Sequence, residues 1–162
     1  NTVLIGIALF LTLFIMNPVL TQIQQTAYEP YTRQEITQEE AVDRASVPLK
    51  EFMLRNTESS SLTLFCDLAG VDKPATDEEA MELSMRVIIP SYMTSELKAA
   101  FQIGFFLYIP FMLIDIVVSS TLMSMGMIML PPAMISMPFK LLLFITVDGW
   151  QLLFATLAQG FR

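Results

Sequence analysis

The 162-residue chain has no histidine and a single cysteine, Cys66. Without imidazole it has no Ser-His-Asp triad, no His–carboxylate metal triad and no imidazole proton shuttle. One cysteine forbids an internal disulfide. Charge is scarce too: Asp, Glu, Lys and Arg make up 15% of the chain, against about 25% in ordinary globular proteins. Six glycines are present, and none falls in a phosphate-cradling loop of standard spacing. Nine scattered bases against sixteen acids make no basic patch, so nucleic acid is not an expected partner.

Apolar sequence fills the space. Hydrophobic residues make up 54%, and the charges are confined. No charge occurs between Thr2 and Tyr28; Asp115 alone falls between Lys98 and Lys140, and Asp148 alone between Lys140 and Arg162. The stretch from Tyr28 to Arg86 holds thirteen acids and six bases, a net of −7, while the remainder is balanced. This is an amphiphile with an acidic insert. Apolar sequence starts directly after Asn1, with no basic leader region, and the chain reads as one truncated at its N-terminus.

Three regions follow. Residues 1–27 form an apolar helix, whose run to Leu20 suits a bilayer core of about 30 Å. Pro18 is placed to loosen its last turn, and Tyr28 and Tyr31 suit an interface. Residues 28–90 read as short soluble helices. Thr37-x-x-Glu40 and Thr76-x-x-Glu79 are capping boxes. Pro48 is expected to interrupt the first helix, and Gly70 to close a second, "LTLFCDLAG". So few large apolar side chains make a thin core that needs neighbours. Residues 91–162 read as a long kinked hairpin. Thr94-Ser95-Glu96 has the composition of a helix start, and the next 30 or so residues would run roughly 48 Å. Pro110 is expected to kink this arm. Gly126 is expected to end it, and Pro131-Pro132 and Pro138 precede the return arm.

The hairpin tip, residues 123–132, carries "MSMGMIML". Met123, Met125, Met127 and Met129 alternate there, with Pro131-Pro132 directly after. In a helix this spacing covers opposite faces, whereas in extended chain it lines one. Three readings stand: flexible filler in a core, a soft constriction lining a path, and a thioether site for Cu(I). The last is weakened by the lack of a nearby His or Cys. Asp115 and Asp148 read as the two acids inside the apolar helices, where carboxylates are costly and often functional. They suit a helix-to-helix hydrogen bond, a helix-terminus contact, a proton relay or the acid pair of an intramembrane protease. The protease reading lacks its glycine before the second acid, since Val147 stands there. Glu96 and Lys140 precede the two apolar arms, and two readings stand: separate interfacial charges, or a pair facing one another within a hairpin or between subunits.

The strings "SELKAAFQIGFFLYIPFMLIDIVVSSTLMSMGMIMLPP", "MPFKLLLFITVDGWQLL", "PLKEFMLRNT" and "LIGIALFLTLFIMNPV" resemble the FliP/SctR family of type III export-gate proteins across essentially the whole chain. The resemblance implies an all-α fold that assembles as a ring or helical oligomer of about five copies, with FliQ and FliR. It further implies FlhB and FlhA as partners, unfolded flagellar proteins as cargo, and no catalysis or cofactor. The location implied is the bacterial inner membrane and flagellar basal body, with the insert periplasmic and the assembled core largely above the membrane plane. By match, a methionine gasket falls on Met125, Met127, Ile128 and Met129, with Ile128 where methionine is common. An inter-subunit salt bridge falls on Glu96 and Lys140, with Arg55 as a third member. Asp115 and Asp148 lie in family motifs without an assigned role. The alternative class is a proton-coupled transporter or ion-channel subunit using those two acids.

Overall fold

The computed structural model describes residues 1–127 and 131–161, and every described element is helical. The chain is all-α, as expected. It forms two compact units, Asn1–Leu97 with Gly160–Arg162, and Lys98–Gln159.

The first unit opens with α1 (Thr2–Ile23), which buries none of its residues within the chain. Pro18 lies inside it without ending it. A five-residue π-turn (Gln24–Tyr28) and a short α2 (Glu29–Thr32) continue the rod. The π-turn packs against α3 (Gln38–Arg55), with Ala27 buried. Both arms of the predicted Thr37–Glu40 capping box are present. Pro48 does not interrupt α3: the helix runs through it to Asn56, and Pro48 is buried. Burying the ring beside α1 outweighs the single backbone bond that proline forfeits.

α4 (Ser59–Ala69) ends at Gly70 in the left-handed conformation, φ 67°. There the Val71 N–H donates to the Cys66 carbonyl and the Gly70 N–H to Asp67, a Schellman closure. α5 (Asp77–Glu82) starts at Thr76, whose hydroxyl accepts from the Glu79 N–H. The Glu79 carboxylate reaches back to the Ala75 N–H, one residue beyond the position a capping box would use. Cys66, Leu83, Val87 and Ile88 form the buried core, with Met53, Leu54, Leu62 and Phe65 packed around it. Burial pushes the Cys66 thiol above its usual range; Asp67 adds to the rise and Lys73 opposes it.

α6 (Met85–Ser124) is one helix of 40 residues. It begins well before Thr94, which corrects the expected start. Pro90 falls inside it, because burial of Val87, Ile88 and Ser91 in the core fixes this segment as helix. Ser95 does serve a helix start, although not that of its own helix: its hydroxyl accepts from the Glu58 N–H at the head of α4 and donates to the Ser91 carbonyl.

The second unit pairs the later part of α6 with α7 (Pro132–Thr146) and α8 (Gly149–Gly160). α7 begins with Pro132 in its first turn, where no N–H is needed. α7 and α8 bend by 59° at Val147-Asp148. Asp148 adopts φ 49° at this bend. Gly149 is buried, and a Cβ there would strike the Phe144 ring. Two continuous rods, Thr2–Thr32 and Met85–Ser124, are long and apolar enough to cross a membrane, and the bent α7–α8 pair passes the same test as a broken span.

Candidate functional site

The approach to the methionine tip is built by the end of α6. The Met127 N–H donates to the Leu122 carbonyl at 3.0 Å and the Gly126 N–H to Met123 at 3.1 Å. With Gly126 at φ 74°, this is a second Schellman closure, and a side chain at residue 126 would strain it. The predicted role of Gly126 as helix terminator therefore holds. Met123, Met125 and Met127 are 68%, 66% and 44% exposed. Ile128 and Met129, two of the four positions where the resemblance places a gasket, lie outside the described residues.

Behind the tip, α6 and α7 are joined by a polar clasp. Lys140 Nζ lies 2.6 Å from Asp115 Oδ2. The Ser136 hydroxyl donates to Asp115 Oδ1, also at 2.6 Å. Both carboxylate oxygens are thus engaged from α7 by residues one helical turn apart. Ser136 is completely buried, while the Lys140 and Asp115 side chains keep 27% and 33% of their surface. Asp115 lies ten residues before Met125, about 15 Å along the helix, so the clasp sets the arm spacing about three turns behind the tip.

Apolar clefts flank the clasp. One, of about 510 Å³, is bounded by Leu113, Val117, Thr121, Ile135 and Phe139. The other, of about 400 Å³, is bounded by Phe106, Pro110, Phe111, Phe144 and Leu152 among others. Phe144 packs edge-on to Trp150 at 5.3 Å and beside Phe111 at 6.3 Å, which tightens the bend.

The two acids grouped by the sequence prove different. Asp115 makes the helix-to-helix bond expected as one of its readings. Asp148 is exposed and sits in the turn between α7 and α8 rather than inside a helix. Lys140 and Arg55 each have an acid partner within the chain: Asp115 for Lys140, and Glu51 at 2.9 Å for Arg55. Glu96 is partly buried on α6. Among the described residues no three His, Cys, Asp or Glu side chains converge as a metal site.

Sequence reasoning missed two residues. Ser136 lies four before Lys140, and a Ser-x-x-x-Lys face opposite a lone acid is the signal that finds it. Lys50 donates to the Met81 and Leu83 carbonyls, 31 and 33 residues away, and no local pattern announces that.

The chain has close relatives. It is 52% identical over 161 residues to the flagellar biosynthetic protein FliP of Pectobacterium carotovorum subsp. carotovorum, covering 99% of this chain and 61% of that protein. Against FliP of Bacillus subtilis (strain 168) it is 50% identical over 161 residues, covering 99% of this chain and 72% of that protein. Against FliP of Buchnera aphidicola subsp. Acyrthosiphon pisum it is 48% identical over 162 residues, covering 100% of this chain and 42% of that protein. The chain thus spans less than two thirds of the length of two of these three relatives. The FliP family matches residues 1–157, and with these identities the chain belongs to the FliP family.

Proposed function

We propose that this protein is a pore-forming scaffold subunit of the flagellar type III export gate, passing unfolded flagellar proteins across the bacterial inner membrane. The observation that carries this reading is the hairpin: its described tip is a Gly-closed turn presenting Met123, Met125 and Met127 outward, braced by the Asp115–Ser136–Lys140 clasp. A gate must exclude ions when closed and then repack around chains of any sequence. Unbranched thioether side chains suit both tasks. Met125, Met127, Ile128 and Met129 form the gasket, with β-branched Ile128 the stiffest member.

About five copies assemble with FliQ and FliR, and FlhB and FlhA complete the apparatus. The apolar surface left open on α1, α6 and α7 supports such packing. α1 is long and apolar enough to cross a bilayer, the assembled core stands largely above the membrane plane, and the acidic insert faces the periplasm. Between subunits, Lys140 joins Glu96 of a neighbour and Arg55 adds a second cation. An ammonium has three donors, so the Asp115 bond leaves Lys140 able to take a second carboxylate. A carboxylate held by Lys140 and Ser136 is suited to bracing, which favours the scaffold over a proton-coupled transporter.

Two experiments test this. Full-length protein co-expressed with FliQ and FliR should give one defined hetero-oligomer by intact mass in mild detergent; a monomer indifferent to both partners refutes the reading. Met127→Ala with Met129→Ala should assemble normally yet leak small ions. Normal ion impermeability in cells holding the assembled double variant would remove the gasket.

A further inference from the structure

The hairpin of the second unit has two weak points, and both border the same cleft. On α6, Pro110 has no N–H, so the Phe106 carbonyl lacks the donor that a regular helix would supply. Gly104 lies six residues earlier, and a Cβ there would meet nothing within 4 Å, so no packed neighbour braces the helix at that point. On the return arm the helix is broken outright. α7 and α8 meet at 59° through Val147-Asp148, where Asp148 holds φ 49°, a backbone conformation uncommon for any residue but glycine. The cleft of about 400 Å³ lies between these points: Phe106 and Pro110 line it from α6, and Val147, Gly149 and Leu153 from the bend and α8. Packed interiors leave few voids larger than a water molecule, so this space lets the arms approach or part at that level.

Beyond the cleft the two arms are tied. Phe111 meets Phe144 at 6.3 Å, and one turn further Asp115 is held through both carboxylate oxygens by Ser136 and Lys140. α7 is unbroken from Pro132 to Thr146. This distal piece is therefore built to move as one body. The Phe144 ring lies against Gly149 and edge-on to Trp150 at 5.3 Å, so α8 closes no further on α7 without displacing that ring.

We infer that the hairpin is a lever: the clasped segment 111–146 pivots about residues 104–110 on one arm and 147–149 on the other, and the cleft opens and closes as it turns. The methionine tip stands at the far end. Met125 is 15 residues beyond Pro110, about 22 Å of helix, so a turn of about 10° at the hinges carries the tip about 4 Å. An extended chain needs about 5 Å between its neighbours in a sheet, so small turns shared among several copies are enough to admit one. Without the clasp the arms would splay, and the turn would be lost before it reached the tip. The lever's purpose rests on the gate reading; its motion rests on the hairpin's own geometry.

Pulsed EPR on the full-length protein, with Cys66→Ala and pairs of spin-labelled cysteines, measures the motion. Labels at Ser120→Cys and Ile145→Cys lie within the distal piece and should give one narrow distance. Labels at Ser120→Cys and Gln159→Cys straddle the hinges and should give a distribution about twice as wide. Gly104→Ala with Pro110→Ala restores the missing backbone bond and side chain on α6. It should narrow the second distribution toward the first and leave the thermal midpoint no lower. Leu153→Phe, which fills the cleft, should narrow it from the other arm. In cells the Gly104→Ala, Pro110→Ala variant should assemble with FliQ and FliR yet export flagellar subunits about tenfold more slowly, because each opening now breaks a sound helix. Equal widths for the two label pairs, or a width that neither variant changes, overturns the lever. Export at the normal rate by the assembled variant refutes its part in gating. A chain that pivots but ignores FliQ and FliR refutes the gate alone.

Discussion

Lys50→Met offers the sharpest test of how the insert is held together. α5 has six residues, too few for stability of its own. Thr76 caps its start and Ala80 is buried. At its end the Lys50 ammonium donates to the Met81 carbonyl at 3.1 Å and to Leu83 at 2.9 Å. Each such bond contributes a net ~0.5–1.5 kcal/mol, and a cation at a helix C-terminus adds about 0.3–1 kcal/mol. Lys50 is half-buried and water replaces part of what is lost, so the low end applies: about 1.5 kcal/mol, or roughly tenfold in local opening. Methionine keeps the apolar stem, so packing is retained. Hydrogen exchange followed by mass spectrometry should show α5 amides exchanging about tenfold faster, with α4 unchanged. Unchanged α5 protection, or an equal rise throughout the insert, would refute the reasoning.

Three further outcomes are expected. Lys140→Met should lower the thermal midpoint of the full-length protein in detergent, and adding Asp115→Leu should recover much of it, because removing both members of an ion pair is gentler than stranding one; a double variant as unstable as the single would count against the clasp. Gly149→Ala should displace Phe144 from its edge contact with Trp150, shifting Trp150 emission and costing about 1–3 kcal/mol, so unchanged emission and midpoint would contradict the tight bend. Cys66 should resist maleimide in the folded protein near pH 8 and react once the chain is unfolded. Its thiol is raised when folded, so the unfolded state ionises first and stability should fall as pH climbs past the usual thiol value of 9.0; fast labelling of the native protein would show that the core is open.

Local chemistry was readable from the sequence wherever it acts locally. The Thr37 box, the Gly70 and Gly126 terminators and the long apolar rods needed only neighbours three to five residues apart. Proline misled where tertiary burial prevails, since Pro48 lies buried inside a helix it was expected to interrupt. Ser95 carried a genuine capping signal whose target, the Glu58 N–H, is 37 residues away. The Asp115–Lys140 pair joins residues 25 apart, and spacing alone left that acid with four readings. Asp148 was misread for the opposite reason: its apolar neighbours suggested a helix, while the chain turns there at positive φ.

The π-turn at Gln24–Tyr28 also acts as a phase setter. The Glu29 N–H reaches back to Gln24, five residues rather than four, so the turn accommodates one residue beyond a regular helix. Each residue of an α-helix rotates the chain by about 100°. Removing one residue here would regularise the rod and leave its two halves in phase, whereas removing one from the regular helix on either side would swing one half by that angle, turning Ala27 away from α3 or the Ile15–Gln22 face away from Pro48 and Phe52. Substitutions along α1 should therefore be tolerated far more readily than a single-residue insertion or deletion within it, and a deletion inside the π-turn more readily than one in the regular helix. The register of this rod, more than the identity of its apolar side chains, is what the chain has to keep.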